Sequence, residues 1–184
     1  MAFSFEPTDI PEVILVDGPR YPDHRGFFCE LFREEAFRAG GVVGPFVQDN
    51  FARSRAGVLR GLHYQNEPHP QGKLVRTLRG KIFDVAVDIR PHSATLGKWV
   101  GAVLSEENGR SLWVPPGFAH GYCVLAGPAD VFYKVTAPFK AELDRGIQWD
   151  DPTIGVEWPM KNPHLSEKDL GLPTFREVEA GGWA

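Results

Sequence analysis

Lys81-Ile82-Phe83-Asp84-Val85-Ala86-Val87-Asp88-Ile89-Arg90 interleaves two sets of side chains: Phe83, Val85, Val87 and Ile89 form an apolar set, and Asp84, Ala86 and Asp88 fall between them. A period of two sends successive side chains to opposite faces of a β-strand. One face is therefore expected to pack and the other to be free for chemistry. Outward from this strand, short β-rich runs recur at Val13–Val16, Phe27–Phe32, Val47–Ala52, Gly57–Gln65, Lys73–Arg79, Trp99–Leu104, Ser111–Val114, Gly121–Ala126 and Val131–Thr136, with Gly or Pro at the turns between them. Such a series, in a chain with 20 Gly and 16 Pro, is the pattern of a sandwich or closed barrel rather than of βαβ units. Roughly ten strands in one unit predict an all-β jelly roll. Arg33–Ala39 before Gly40 reads as a short helix with a glycine stop, and Ser166–Asp169 as a capped turn. Both are peripheral to the architecture.

A length of 184 residues predicts a single domain, 1–184, around one core. No apolar stretch approaches the roughly 20 residues a membrane helix needs, and the start, Met1-Ala2-Phe3-Ser4-Phe5-Glu6, has no basic region followed by an apolar run. The expectation is a cytoplasmic protein without a membrane span. Cys29 and Cys123 are too few for a disulfide scaffold or a four-cysteine zinc site and read as reduced structural residues. A formal charge of -4, with the basic residues scattered singly, argues against a nucleic-acid surface. The tail from Pro173 to Ala184 reads as loosely ordered.

Polar groups inside strand-like runs need a reason, because a buried charge is costly unless paired. Gly57–Gln65 carries Arg60 and His63, and Gln71-Gly72-Lys73 brings a lysine to the start of the next run; an anionic ligand would complement them. Strict alternation puts Arg60 and His63 on opposite faces, so if both meet one ligand, Gly61 must mark a bulge or kink. His120 follows the turn Pro115-Pro116-Gly117, and Tyr133 sits within a strand. Each of these alone is equally a satisfied structural residue. Glu34-Glu35 and Glu106-Glu107 read as solvated carboxylates, whereas Asp84 is mid-strand.

Small cupin-type barrels often hold a metal through a His-x-His pair with a later Glu and His. Here His63 is followed by Tyr64 and Gln65, an amide where the second ligand would stand, and His24, His69, His92 and His164 lie in loop-like segments. No metal site is expected. Nucleophile-elbow, phosphate-loop and dinucleotide-binding motifs are missing as well, which leaves acid/base chemistry.

Taken together, Asp23–Glu30, Gln48-Asp49-Asn50, Val58–Gln65, Gln71–Arg76, Phe83–Arg90, Gly97-Lys98-Trp99, Pro116–Gly121, Tyr133-Lys134, Arg145-Gly146-Ile147, Trp149–Pro152 and Leu165–Asp169 resemble the dTDP-4-dehydrorhamnose 3,5-epimerase family, from about Val13 through Pro173. The resemblance implies a cupin-like jelly roll (double-stranded β-helix), a homodimer, no metal and no organic cofactor; an edge strand near the N-terminus is expected to exchange between subunits. Its substrate would be a dTDP-linked 4-keto-6-deoxy sugar. A proton beside a ketone is acidic enough for a side-chain base, because the carbanion delocalises onto the carbonyl oxygen.

By the same resemblance His63 is the base, Asp169 its orienting carboxylate, Lys73 the enolate stabiliser and Tyr133 the acid on the opposite face. Arg25, Glu30, Gln48, Asn50, Arg60 and Lys168 match the nucleotide contacts, with Phe28 packing beside them. His120 matches a substrate-contacting position and Asp84 an active-site carboxylate whose cationic partner is open. Two departures stand out. Phe139 lies six residues past Tyr133, where many family members carry a second tyrosine against the thymine, and Asp144 stands where the family usually has Glu. The departures leave a mono-epimerase, acting at carbon 3 or carbon 5 alone, beside the double reaction. A non-catalytic sugar-nucleotide binder and a ketoisomerase are the readings from other classes; retention of His63, Lys73, Tyr133 and Asp169 speaks against the first, and the position of the product's keto group would separate the second.

Overall fold

A computed structural model describes residues 2–181. In chain order its elements are β1 (Ser4–Pro7), β2 (Ile14–Asp17), β3 (Arg20–Asp23), β4 (Gly26–Cys29), α1 (Glu34–Ala39), β5 (Gln48–Ser54), β6 (Leu59–Gln65), β7 (Lys73–Asp88), β8 (Trp99–Ser105), β9 (Ser111–Val114), β10 (Phe118–Val135), β11 (Asp144–Gly146), α2 (Glu167–Leu170) and α3 (Phe175–Ala180). The chain is all-β with short peripheral helices, as its sequence predicts.

The organising feature is a ribbon of two long antiparallel strands, β7 and β10, where the sequence predicts four shorter ones. The glycine and proline residues between the predicted shorter strands bend this ribbon instead of ending it. Gly80 has φ +77°, and a Cβ there would meet the Ala126 and Pro128 carbonyl oxygens, both at 2.7 Å. Pairing slips between Ala126 and Val131 on the opposite strand, so the ribbon folds over on itself. Its two halves belong to two walls. The second half of β7 and the first half of β10 pair outward with β8 and β6, and β6 with β11. The first half of β7 and the second half of β10 pair outward with β9 and β5, then β9 with β2, and β2 with β1. β3 and β4 form a separate hairpin.

Between the walls, Val75, Ile82, Ala86, Leu104, Leu112, Phe118, Val124 and Val131 form the barrel core. The apolar set Val85, Val87 and Ile89 points the other way and is covered by Ile147, Ile154 and Phe175 from the C-terminal segment. Both faces of the fold-deciding strand therefore pack, and the set containing Asp84 faces the interior. A second outer layer packs Phe37 and Val42 from the α1 region against Leu74 and Trp113.

The tail is more ordered than its sequence predicts. Thr174 and Glu177 form a capping box that starts α3, and Phe175 anchors the helix in the outer core; satisfying the first amides this way stabilises a short helix. The remainder of the predicted loose tail, residues 182–184, lies outside the described residues. Cys29 and Cys123 are unpaired thiols, and His24, His69, His92 and His164 are exposed. No helix among the described residues is long and apolar enough to cross a membrane.

Candidate active site

The polar interior is laid out in rows by strand register. On the first wall His63 of β6 stands opposite His120 of β10, and Arg60 stands opposite Tyr122. Three steps along β6 thus match two along β10, so the strand carries a bulge, as the spacing of Arg60 and His63 requires. The extra residue is taken up at Gly61, whose φ is +131° and where a Cβ would come within 2.5 Å of Gly121 Cα. Only glycine fits there, and the bulge turns Arg60 and His63 to the same face. On the second wall Tyr133 stands between Val75 and Asn50, and the next row joins Lys73, Val135 and Gln48.

Where the walls approach one another they enclose a cavity of about 260 Å³ lined by Gln48, Asn50, His63, Tyr64, Gln65, Gln71, Lys73, Tyr133, Phe139 and Asp144. His63 enters it from one wall and Tyr133 from the other.

Behind His63, the short helix α2 delivers Asp169, whose Oδ1 lies 2.5 Å from His63 Nε2. Ser166 caps that helix: it accepts from the Asp169 amide at 3.1 Å and donates its hydroxyl to Asp169 Oδ2 at 2.8 Å. Burial pushes the Asp169 carboxyl up, but the bonds with His63 and Ser166 and the nearby positive charge outweigh it and hold the group below the usual carboxylate range. A charged carboxylate fixed on one ring nitrogen sets the tautomer that leaves the other nitrogen free to accept a proton.

The partner of Asp84 is His120, at 2.8 Å with both side chains buried. Burial lowers the His120 pKa, and the charge and hydrogen bond of Asp84 offset only part of that. Burial also depresses Lys73, to about 8, against the pull of the Asp144 and Asp84 carboxylates; its ammonium donates to the His63 carbonyl at 3.3 Å. The Tyr133 phenol is pushed up by burial, opposed by the Arg60 charge, so it holds its proton through neutral pH. The arrangement joins a carboxylate-backed imidazole, a cation of tunable charge and a protonated phenol around one small space. That set can remove a proton from carbon, stabilise the resulting oxyanion and return a proton from across the cavity.

Not every expected residue lines this space. Arg60 is exposed at the side, its Nε held by Ser54 Oγ at 3.0 Å. Lys168 forms an ion pair with Asp144, tying α2 to β11. Arg25, Phe28 and Glu30 belong to the β3–β4 hairpin and the strand end after it; Arg25 pairs with Asp23 at 2.6 Å and Glu30 with Arg33 at 2.6 Å, and none of the three lines the cavity. Conversely, Tyr64, Gln65 and Gln71 line it without having been assigned there from sequence. Gln71 and Gln65 fall inside motifs that carry the family resemblance, which was the available signal. Among the described residues no three His, Cys, Asp or Glu side chains gather as a metal ion would require. Gln65, at the position where a cupin metal ligand would stand, spends its amide on backbone groups.

The family model described as dTDP-4-dehydrorhamnose 3,5-epimerase matches residues 7–177. The chain is 52% identical over 176 residues to the dTDP-4-dehydrorhamnose 3,5-epimerase of Sinorhizobium fredii, covering 95% of this chain and 90% of that protein. The dTDP-6-deoxy-D-glucose-3,5-epimerase of Legionella pneumophila, solved in complex with dTDP-4-keto-L-rhamnose, superposes with a TM-score of 0.93 at 44% identity, over 97% of this chain and 96% of that one. A 3'-monoepimerase from Streptomyces bikiniensis, solved with dTDP-quinovose, superposes with a TM-score of 0.90 at 31% identity, over 96% of this chain and 90% of that one.

Proposed function

The chain belongs to the dTDP-4-dehydrorhamnose 3,5-epimerase family, and we propose that it inverts carbons 3 and 5 of dTDP-4-keto-6-deoxy-D-glucose. The observation that carries this reading is the placement of His63 and Tyr133 on opposite walls of one cavity beside Lys73. His63 takes the proton from the carbon next to the ketone, with Asp169 stabilising the imidazolium that forms. The bonding electrons move to the ketone oxygen, where the Lys73 ammonium meets the negative charge. Tyr133 then gives its proton to the other face of the carbon, and collapse of the enolate leaves the centre inverted with no net redox change. His120, backed by Asp84, contacts the sugar. Gln48, Asn50, Arg60 and Lys168 serve the dTDP portion, Arg as a fork for phosphate oxygens, and Phe139 offers its ring to the base. Asp144 fixes Lys168 for that contact.

The working unit in this reading is a homodimer of one-domain chains in the cytoplasm. Support for the dimer comes from the β3–β4 hairpin: Tyr21, Phe27 and Phe28 are 44%, 55% and 68% exposed, and Arg25, Phe28 and Glu30 do not line the cavity that holds His63 and Tyr133. In a dimer they serve the cavity of the second copy. The two free thiols are in keeping with a reducing compartment.

A mono-epimerase is the second reading, favoured by Phe139, a ring without a hydroxyl at the cavity, and by the likeness to a 3'-monoepimerase. Incubation with dTDP-4-keto-6-deoxy-D-glucose in deuterated water, followed by NMR, separates the cases. Label and inversion at carbons 3 and 5 are expected. Label at one carbon alone would establish the mono-epimerase, and no label at either would leave a sugar-nucleotide binder.

A further inference from the structure

The irregular segment that follows β10 crosses the cavity with Phe139, and three glutamines hold it by its backbone. Gln71 Nε2 donates to the Ala137 carbonyl at 2.7 Å. Gln65 Nε2 donates to the Pro138 carbonyl at 3.1 Å and to the His69 carbonyl at 2.5 Å, while its Oε1 accepts from the Lys140 amide at 2.8 Å. Gln48 Oε1 accepts from the Phe139 amide at 3.0 Å. Four consecutive residues, 137–140, are each bound through one main-chain group to a side chain that lines the cavity. The glutamines come from β5, from β6 and from the approach to β7, so the strap is sewn to both walls.

Phe139 itself is 54% exposed. An apolar ring so open to solvent has little burial energy to fix it and no polar atom with which to anchor itself. Its position over the cavity is therefore set by the backbone beneath it. Gln65 is only 6% exposed, and a buried amide is costly unless bonded. Here both of its N–H groups and its oxygen are used, and the two carbonyls and one amide N–H it faces fix which way the amide points. Amides do not titrate, so this hold is independent of pH while the chemistry beneath it is not.

We propose that Gln65 and Gln71 are positioning residues that hold the 137–140 strap over the cavity and so set its affinity for the nucleoside diphosphate of the substrate. The inference rests on the epimerase reading above. Its test uses the full chain with Gln65→Met and Gln71→Met, which keep side-chain length and remove the amide. Hydrogen exchange without ligand reads the strap directly; binding of dTDP and turnover of dTDP-4-keto-6-deoxy-D-glucose read the consequence. Faster exchange at the Phe139 and Lys140 amides is expected in Gln65→Met. With three hydrogen bonds lost, two of them to the strap, Kd for dTDP and KM are expected to rise about tenfold in Gln65→Met, and about threefold in Gln71→Met with its single bond lost. In both variants kcat for exchange at carbon 3 should stay within about twofold, because binding and not the acid/base groups is altered. The ratio of variant to wild-type KM should not change with pH.

Unchanged amide exchange would overturn the proposal, as would freed amides with unaltered Kd and KM, or a collapse of kcat at constant KM. If Gln65→Met fails to fold, the more exposed Gln71→Met decides. A wild-type protein that neither binds dTDP nor exchanges the sugar's protons would instead remove the epimerase reading on which the inference stands.

Discussion

On the wall built from β8, β7, β10 and β6, each interior histidine is tied to a carboxylate: His63 to Asp169 at 2.5 Å and His120 to Asp84 at 2.8 Å. On the facing wall Tyr133 and Lys73 have no acid bound to them among the described residues, and burial shifts them in opposite directions, the phenol upward and the ammonium down to about 8. In the proposed reaction the first wall takes up a proton at His63, where a fixed carboxylate stabilises the imidazolium as it forms. The second is built to hold a proton until it is needed, since burial disfavours the phenolate. In the proposed reaction, a cavity between two such walls gives a substrate carbon a base on one face and an acid on the other.

The largest expected effect breaks the first wall. His63→Asn removes the proposed base while keeping a polar side chain, and solvent-proton exchange at both carbons should fall by about 10³-fold, within the range general base catalysis supplies. Exchange persisting within tenfold of wild type would move the base elsewhere, with the His120–Asp84 pair next in line.

The next effect is a pH dependence belonging to the second wall. In the proposed mechanism Lys73 must be charged to meet the enolate oxygen, and its pKa of about 8 means that charge is lost as pH rises through that value. Turnover should decline above about pH 8, approaching tenfold per unit once the ammonium is the minor form. Lys73→Arg, permanently charged, should lower the rate but shift this decline upward. A decline that stays near pH 8 in the variant would assign it to another group.

The smallest effect sharpens the comparison at the rim, where neither wall's proton-transfer groups are changed. Phe139→Tyr adds one hydroxyl at a half-exposed position, worth at most about 1 kcal/mol if it bonds. The ratio of exchange at carbon 5 to exchange at carbon 3 should move by less than about threefold. A gain of tenfold or more at carbon 5 would show that this position governs regiochemistry and would favour the mono-epimerase.

The alternation in Lys81–Arg90 made the all-β class legible because a period of two has one structural meaning. The bulge at Gly61 was legible for a related reason: two polar residues three apart can share a face only if the strand gains a residue. The continuity of β7 and β10 was not legible, because glycine bends a strand or ends it with the same residue, and only pairing with the neighbouring strand decides. The α3 helix had its signal in Thr174 and Glu177, which three residues of spacing make a capping box. His63, Lys73, Tyr133 and Asp169 were named through the family's motifs and not from geometry, and the fold then brought His63, Lys73 and Tyr133 to one cavity with Asp169 behind the histidine. The glutamine strap had no pattern to betray it, since contacts from side-chain amides to a distant backbone follow no period.

The division of labour between the walls is tested most directly by Tyr133→Phe in deuterated water, with NMR following label and configuration at carbons 3 and 5. If His63 removes the proton from one face and Tyr133 returns it from the other, the variant should still take up deuterium but with inversion slowed by about 10²-fold or more. Inversion at the wild-type rate would contradict the assignment of Tyr133 as the acid, and loss of exchange together with inversion would place both steps on one group.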